Sequence, residues 1–169
     1  MTMSMYEASI PTFLHTLRSL KAILAKGLAH AEAKKFDPNV LAASRLYPDM
    51  FPLTRQVQIA SDAAKGAAAR LAGAEPPKFE DVETTIAELI ARVDKTIDYL
   101  QSFKPAQIDG SEERTITIQT PRGPFSFPGA AFLRHWALPN FFFHVTTAYN
   151  ILRHNGVEIG KSDYLGAVR

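Results

Sequence analysis

Cysteine is absent from this chain of 169 residues, and with it go disulfides, cysteine-ligated zinc, iron–sulfur clusters and cysteine nucleophiles. A charge of one sign is missing too: 19 Lys and Arg stand against 17 Asp and Glu, for a formal charge of +2. These charges are interspersed, and no basic run is long enough to follow a phosphate backbone, so nucleic-acid binding is not expected. There is no long apolar run. The most apolar stretch, Ala137 to Val145, contains a proline, an asparagine and a histidine and falls far short of the ~20 residues of a membrane span. Met1 to Ile10 carries Glu7 and no basic region ahead of an apolar core, so it does not read as a signal peptide. A cytoplasmic protein without a membrane partner is the expectation. Gly-rich phosphate loops, His-Glu-x-x-His, Gly-x-Ser-x-Gly and Glu-x-x-His are also missing, which removes the main support for nucleotide-binding, hydrolase and di-iron readings.

What is present is an ordinary globular composition, 46% hydrophobic and 21% charged. A chain of roughly 150 residues buries about two-thirds of its unfolded surface, enough for one core and one domain over residues 1–169. Ser4-x-x-Glu7 opens a first helix to Ala33 as a capping box, and Ile10, Phe13, Leu17, Leu20, Leu24 and Leu28 form its apolar seam. Pro11 predicts a mild kink, and His15 points away from the seam toward solvent.

Asp37-Pro38 reads as the start of a second helix, with Leu46, Met50, Leu53, Val57, Ala60, Ala64, Ala67 and Leu71 at near-heptad spacing and Gly73 at its end. Pro48 and Pro52 predict that its first turns are kinked or unwound. After Pro76-Pro77, Glu80, Asp81 and Glu83 are read as the acidic first turn of a third helix. Its seam is Phe79, Val82, Ile86, Leu89, Ile90, Val93, Ile97, Leu100 and Phe103, closed by Lys104 and Pro105.

The period then changes to two. Arg114–Gln119 and Phe125–Phe127 alternate around the turn Pro121–Pro124, predicting a short β-hairpin. A last helix from Gly129 to Asn155, capped by Gly156, is apolar almost all round, and a tail from Val157 to Arg169 follows. The fold class is therefore all-α: a four-helix bundle with a short β-hairpin between helices 3 and 4.

Two stripes carry polar groups that a core pattern does not explain. On the last helix Asn140 and His144 are neighbours one turn apart, on the face shared by Leu133, Ala137, Phe141, Ala148 and Ile151. On the second helix Arg45, Asp49 and Gln56 edge the seam. Asp49 is read as a carboxylate ligand or general base, or else as the i, i+4 ion-pair partner of Arg45. With Tyr149 these residues make a candidate ligand pocket, in which Tyr149 or Arg45 orients an anionic group. The alternative is a non-catalytic dimerisation or partner-binding bundle whose buried polar residues satisfy one another.

Two segments carry a resemblance. Arg45-Leu-Tyr-Pro-Asp-Met-Phe-Pro-Leu-Thr-Arg-Gln56 is one. The other is Pro139-Asn-Phe-Phe-Phe-His-Val-Thr-Thr-Ala-Tyr-Asn-Ile-Leu-Arg153, with the Gly-Val-Glu-Ile-Gly-Lys161 that follows it. Together they resemble an uncharacterised, domain-of-unknown-function branch of the bacterial DinB/YfiT-like superfamily of metal-dependent four-helix bundles. The resemblance implies a DinB-like bundle, a homodimer, and a divalent metal such as zinc or nickel on three histidines. One of these comes from the second helix and two from a His-x-x-x-His pair on the last. In some members the metal activates a small-thiol cofactor. Carried onto this chain, His144 stands where the second histidine of the pair would be, and Asn140 where the first would be. The second helix has no histidine; Asp49 or Gln56 is the candidate in its place. His144 and Asp49 are thus the implied metal ligands.

Overall fold

The computed structural model describes residues 3–167; Met1, Thr2, Val168 and Arg169, at the ends of the first-helix and tail segments, lie outside them. Four long helices form the body: α1 (Met5–Lys34), α3 (Leu53–Leu71), α4 (Ile86–Gln101) and α7 (Leu138–His154), with a five-residue α2 (Asn39–Ala43) between the first two. They close a ring in which α1 packs on α4, α4 on α3, α3 on α7 and α7 back on α1. Between α4 and α7 lie α5 (Pro105–Ile108), the antiparallel hairpin β1 (Thr115–Thr120) and β2 (Gly123–Pro128), α6 (Gly129–Phe132) and a π turn over Leu133–Ala137; α8 (Lys161–Leu165) ends the chain. This is the all-α four-helix bundle with a hairpin before the last long helix. No helix among the described residues is long and apolar enough to cross a membrane.

α1 forms as its pattern dictates. Ser4 Oγ accepts from the Glu7 amide, and the Glu7 carboxylate accepts from the Ser4 amide, each at 3.2 Å. Ile10, Phe13, Leu17, Leu20 and Leu24 are fully buried, while Leu28 is half-buried. The helix runs through Pro11. His15 stays on the surface, where its Nε2 donates to the Leu165 carbonyl at 2.5 Å and ties α8 to α1. At the centre, Phe13 meets Phe141 edge-to-face with ring centroids 5.0 Å apart.

The second helix differs from its sequence reading. Pro48 and Pro52 do more than kink it. Each lacks an amide hydrogen and forces the residue before it toward an extended conformation, so residues 44–52 leave the helix altogether. The expected helix becomes α2, a turn, and α3, with the Leu53 amide donating to Ser44 O at 2.9 Å and Thr54 Oγ1 to Ala42 O at 3.0 Å. Leu46 is consequently exposed rather than in the seam.

The third helix also starts later than its acidic run suggests. Thr85 is its N-cap, with Glu88 completing a capping box, and residues 74–84 are an extended strap. Val82, expected in the seam, is 73% exposed on that strap. Ile86, Leu89, Val93, Ile97 and Leu100 form the buried stripe as anticipated.

The last helix is interrupted once. Pro139 cannot donate an amide hydrogen, and the turn before it widens so that the Leu138 amide reaches Leu133 O. The base of the hairpin is pinned just upstream. The Ala130 amide donates to Glu112 O at 2.9 Å, and Gly129 lies so close that a Cβ there would fall 2.0 Å from Ser111 O.

Candidate functional site

α3 and α7 run side by side in opposite directions: Gln56 meets His144, while the later Ala63 and Arg70 of α3 share a cleft with the earlier Asn140 and Trp136. Pro52 sets the start of α3 and leaves Gln56 in its first turns, 1% exposed. The Gln56 Nε2 donates to the Phe51 carbonyl at 3.0 Å, which fixes the orientation of the amide. Its Oε1, 2.7 Å from His144 Nδ1, has only lone pairs to offer, so Nδ1 carries the hydrogen and donates. The neutral ring then presents an unprotonated Nε2. That nitrogen has no hydrogen-bond partner among the described residues and is not sealed from solvent.

Burial holds the His144 pKa below its ordinary value, and the neighbouring Arg55 cation lowers it further. At neutral pH the ring is therefore an uncharged acceptor at the end of an ordered chain, Phe51 O to Gln56 to His144. Phe143 packs edge-on against it at 5.2 Å.

One turn back along α7, Asn140 lines a cleft of about 240 Å³ with Ile59, Asp62, Ala63 and Arg70 of α3, Ile118 of β1, and Phe132, Trp136 and Ala137. The π turn carries Trp136 onto this cleft, and the hairpin supplies its roof: Trp136 contacts Phe127 and Phe125 at 5.9 and 6.5 Å. Asn140 is half-buried, and its amide makes no hydrogen bond among the described residues.

The remaining sequence candidates lie elsewhere. Arg45 and Asp49 are exposed in the proline turn. They do not form the helical ion pair, because the segment between them is not helical; Arg45 Nη1 instead donates to the carbonyls of Pro48 and Met50 at 3.3 and 3.2 Å. Tyr149, five residues after His144, lies on another face of α7 and packs edge-on against Tyr164 at 5.9 Å. The structure thus brings Gln56 and His144 together, sets Asn140 beside them, and leaves Arg45, Asp49 and Tyr149 out of the groove.

The donor set does not fit the zinc or nickel that the resemblance implies. Among the described residues, no three His, Cys, Asp or Glu side chains are grouped so as to hold a metal. His144 spends Nδ1 on an amide oxygen, Asp49 stays in its exposed turn, and a cation, Arg55, stands nearby.

Two features escaped the sequence reading. One is Arg70, whose guanidinium folds over Gly66; a Cβ on that glycine would stand 2.5 Å from Nη1. A glycine four residues before an arginine in a helix interior is a legible signal, because glycine there costs stability unless something needs the room. The other is a cluster between α3, α4 and the strap, which shares Asp62 with the cleft. The Arg92 side chain, 1% exposed, reaches Asp62 at 2.9 Å, Asp81 at 3.0 Å and Glu83 at 3.1 Å. Asp62 also takes Lys65 at 2.9 Å, Asp81 takes Arg55 at 2.5 Å, and Gln58 donates to Glu83 at 2.9 Å. Lys65 and Lys95 each stand 4.1 Å from the Phe79 ring centroid. Of the acidic residues read as a helix start, Asp81 and Glu83 are the strap's clasp onto α3 and α4, while the Glu80 carboxylate pairs with Lys78 of the strap and only its carbonyl accepts from Arg92. The signal was Arg92 itself, spaced with Leu89 and Thr96 on a buried stripe.

Residues 5–165 match a family described as a domain of unknown function (DUF1993). Among solved structures, the crystal structure of a DinB family member protein from Shewanella denitrificans, at 1.83 Å resolution, is 48% identical to this chain. It covers 96% of this chain and 92% of its own length, with a TM-score of 0.88. No curated protein matches.

Proposed function

Because the chain belongs to the DUF1993 family, a domain-of-unknown-function branch of the DinB-like four-helix bundles, we propose that it binds a small molecule in the groove between α3 and α7. The observation that carries this reading is the state of His144: Nδ1 is committed to Gln56, Nε2 is an unpartnered, uncharged acceptor, and one turn back along α7 Asn140 lines a cleft. In this reading the imidazole accepts a hydrogen bond from the ligand or takes a proton from it, and the Asn140 amide reads a second polar group. The reading needs no metal, and it goes with the cytoplasmic setting expected from the sequence.

A fragment library screened by ligand-observed NMR tests it, with wild-type protein beside Ala63→Phe, which fills the cleft. Hits in the wild type that vanish in the variant are expected. Hits that survive unchanged, or none at all, would count against the groove. Elemental analysis of tag-free protein should find far less than one metal per chain. Near-stoichiometric zinc or nickel that disappears in His144→Ala would contradict the metal-free reading.

A second reading, self-association as a homodimer, is favoured by a different observation. Phe51 and Phe143, 54% and 57% exposed, flank the Gln56–His144 pair, and Tyr47 is 66% exposed on the same proline turn as Phe51. Exposed aromatics gathered in this way are typical of contact surfaces. Sedimentation of wild type and Phe143→Glu separates the cases: a dimer that dissociates in the variant supports self-association, and a monomer in both removes it.

A further inference from the structure

The cleft that Asn140 lines contains a cation with no hydrogen-bonded partner among the described residues. Arg70 is half-buried against Gly66 and makes no hydrogen bond or ion pair among the described residues. The carboxylate that shares its cleft, Asp62, is already engaged by Arg92 and Lys65, each at 2.9 Å. Burial lowers the Arg70 pKa, and the charge of Glu75, an exposed residue, works against that shift. A guanidinium stays protonated under such conditions. Arg70 thus lines the cleft with a guanidinium that no side chain hydrogen-bonds among the described residues, a costly arrangement for a group that has lost part of its water.

Apart from Asp62 and Asn140, the walls around that cation are apolar. Trp136 comes from the widened turn before Pro139, Phe132 from the end of α6, Ile118 from the hairpin, and Ile59 and Ala63 from α3. The volume of about 240 Å³ lies below the ~300–1,000 Å³ of drug-sized sites and suits a compact molecule.

We infer that this cleft takes a small organic carboxylate with a planar apolar body, its carboxylate on Arg70 and its body against Trp136. The inference rests on the groove being a ligand site and specifies what that site selects. A guanidinium matches a carboxylate with two parallel hydrogen bonds, which a spherical or fully hydrated anion cannot use as well. Aromatic walls add nothing to the binding of inorganic phosphate but much to the burial of a ring. The Asn140 amide stands at the α7 side of the cleft to discriminate substituents on the body.

Trp136 is the only tryptophan in the sequence, so its fluorescence reports on this cleft alone. Benzoate, acetate and inorganic phosphate are the probes, with far-UV circular dichroism confirming that each variant is folded. A saturable change in Trp136 emission with benzoate is expected. Acetate should bind more weakly, and Arg70→Met should weaken benzoate by about tenfold or more, as loss of a bidentate charged pair implies. Gly66→Ala provides a second variant that keeps the arginine but crowds its guanidinium, and it should weaken benzoate too. Benzoate binding as tight in both variants as in wild type would overturn the inference, as would a response to phosphate without one to benzoate. Fragments that bind the groove while ignoring Arg70 would overturn the carboxylate assignment and leave the groove standing. No saturable response to any probe, together with an empty fragment screen, would remove both.

Discussion

α3 has two flanks, and they treat polar groups in opposite ways. Toward α4 and the strap, Arg92 is enclosed by Asp62, Asp81 and Glu83, and Lys65 and Lys95 sandwich the Phe79 ring. Only Arg92 Nε is buried there without a partner. Toward α7, by contrast, Asn140 and Arg70 line a cleft without hydrogen-bond partners among the described residues, and His144 Nε2 is left unpartnered one turn along α7. A cleft of about 410 Å³ also opens beside the strap, between Phe79, Val82 and Lys95, but the charges around it are largely spent on one another. Buried polar groups that satisfy each other are structure; those that converge on open space are available to something else. Helix α3 carries both kinds, and Asp62 stands where they meet, paired with Arg92 and Lys65 and lining the cleft.

The largest effect expected from that contrast is on the closed flank. Arg92→Met leaves three carboxylates without their common partner, and a loss of about 3–5 kcal/mol is predicted from denaturant unfolding. A loss below about 1 kcal/mol would mean that solvent already screens the cluster, and the contrast between the flanks would fail.

On the open flank Gln56 links Phe51 O to His144. Gln56→Leu should cost about 1–3 kcal/mol, because it strands a buried ring N–H, and ¹⁵N spectra of the imidazole should then show a mixture of tautomers. A single tautomer unchanged from wild type would show that Gln56 does not set it.

The pH dependence follows from the depressed His144 pKa. The unfolded ring takes a proton at its ordinary value, near 6.5, and the folded ring only at lower pH. Between those two points the unfolded state binds more protons, so stability rises with pH through the window and is lost as pH falls through it. Wild type should lose more stability than His144→Gln between about pH 6.5 and 5, and parallel curves would contradict this. The smallest effect is Asn140→Leu. With no hydrogen bond to lose, it should change stability by no more than about 0.5 kcal/mol, while altering what the groove binds. A cost of 2 kcal/mol or more would expose a hidden network and favour a structural role for the polar residues.

How much of this was legible depended on whether a local pattern met a long-range partner. The seams of α1 and α4 were plain, since Phe13, Leu17 and Leu20, like Leu89, Val93 and Leu100, bury at helical spacing whatever packs against them. The start of α4 was not. Glu80, Asp81 and Glu83 suit a first turn locally, but Arg92 and Arg55 claim Asp81, and Arg92 and Gln58 claim Glu83; the capping box Thr85-x-x-Glu88 was the better signal.

In the groove, Asn140 and His144 could be placed from periodicity alone, and Gln56 from its position on the seam. Arg45 and Asp49 share that face only if α3 is extended backward through Pro48 and Pro52, which keep residues 44–52 out of the helix. Arg70 went unnoticed because a charged residue near a helix end is ordinarily solvated. Only the cleft formed by the hairpin and the widened turn gives it significance.

The most direct test maps fragment hits onto ¹⁵N-labelled protein by amide shifts. If the open flank is the ligand site, shifts will centre on Ile59, Ala63, Asn140 and His144, with Trp136 moving as well. Shifts centred instead on Phe79, Val82 and Lys95 beside the strap would contradict the division of labour between the two flanks of α3.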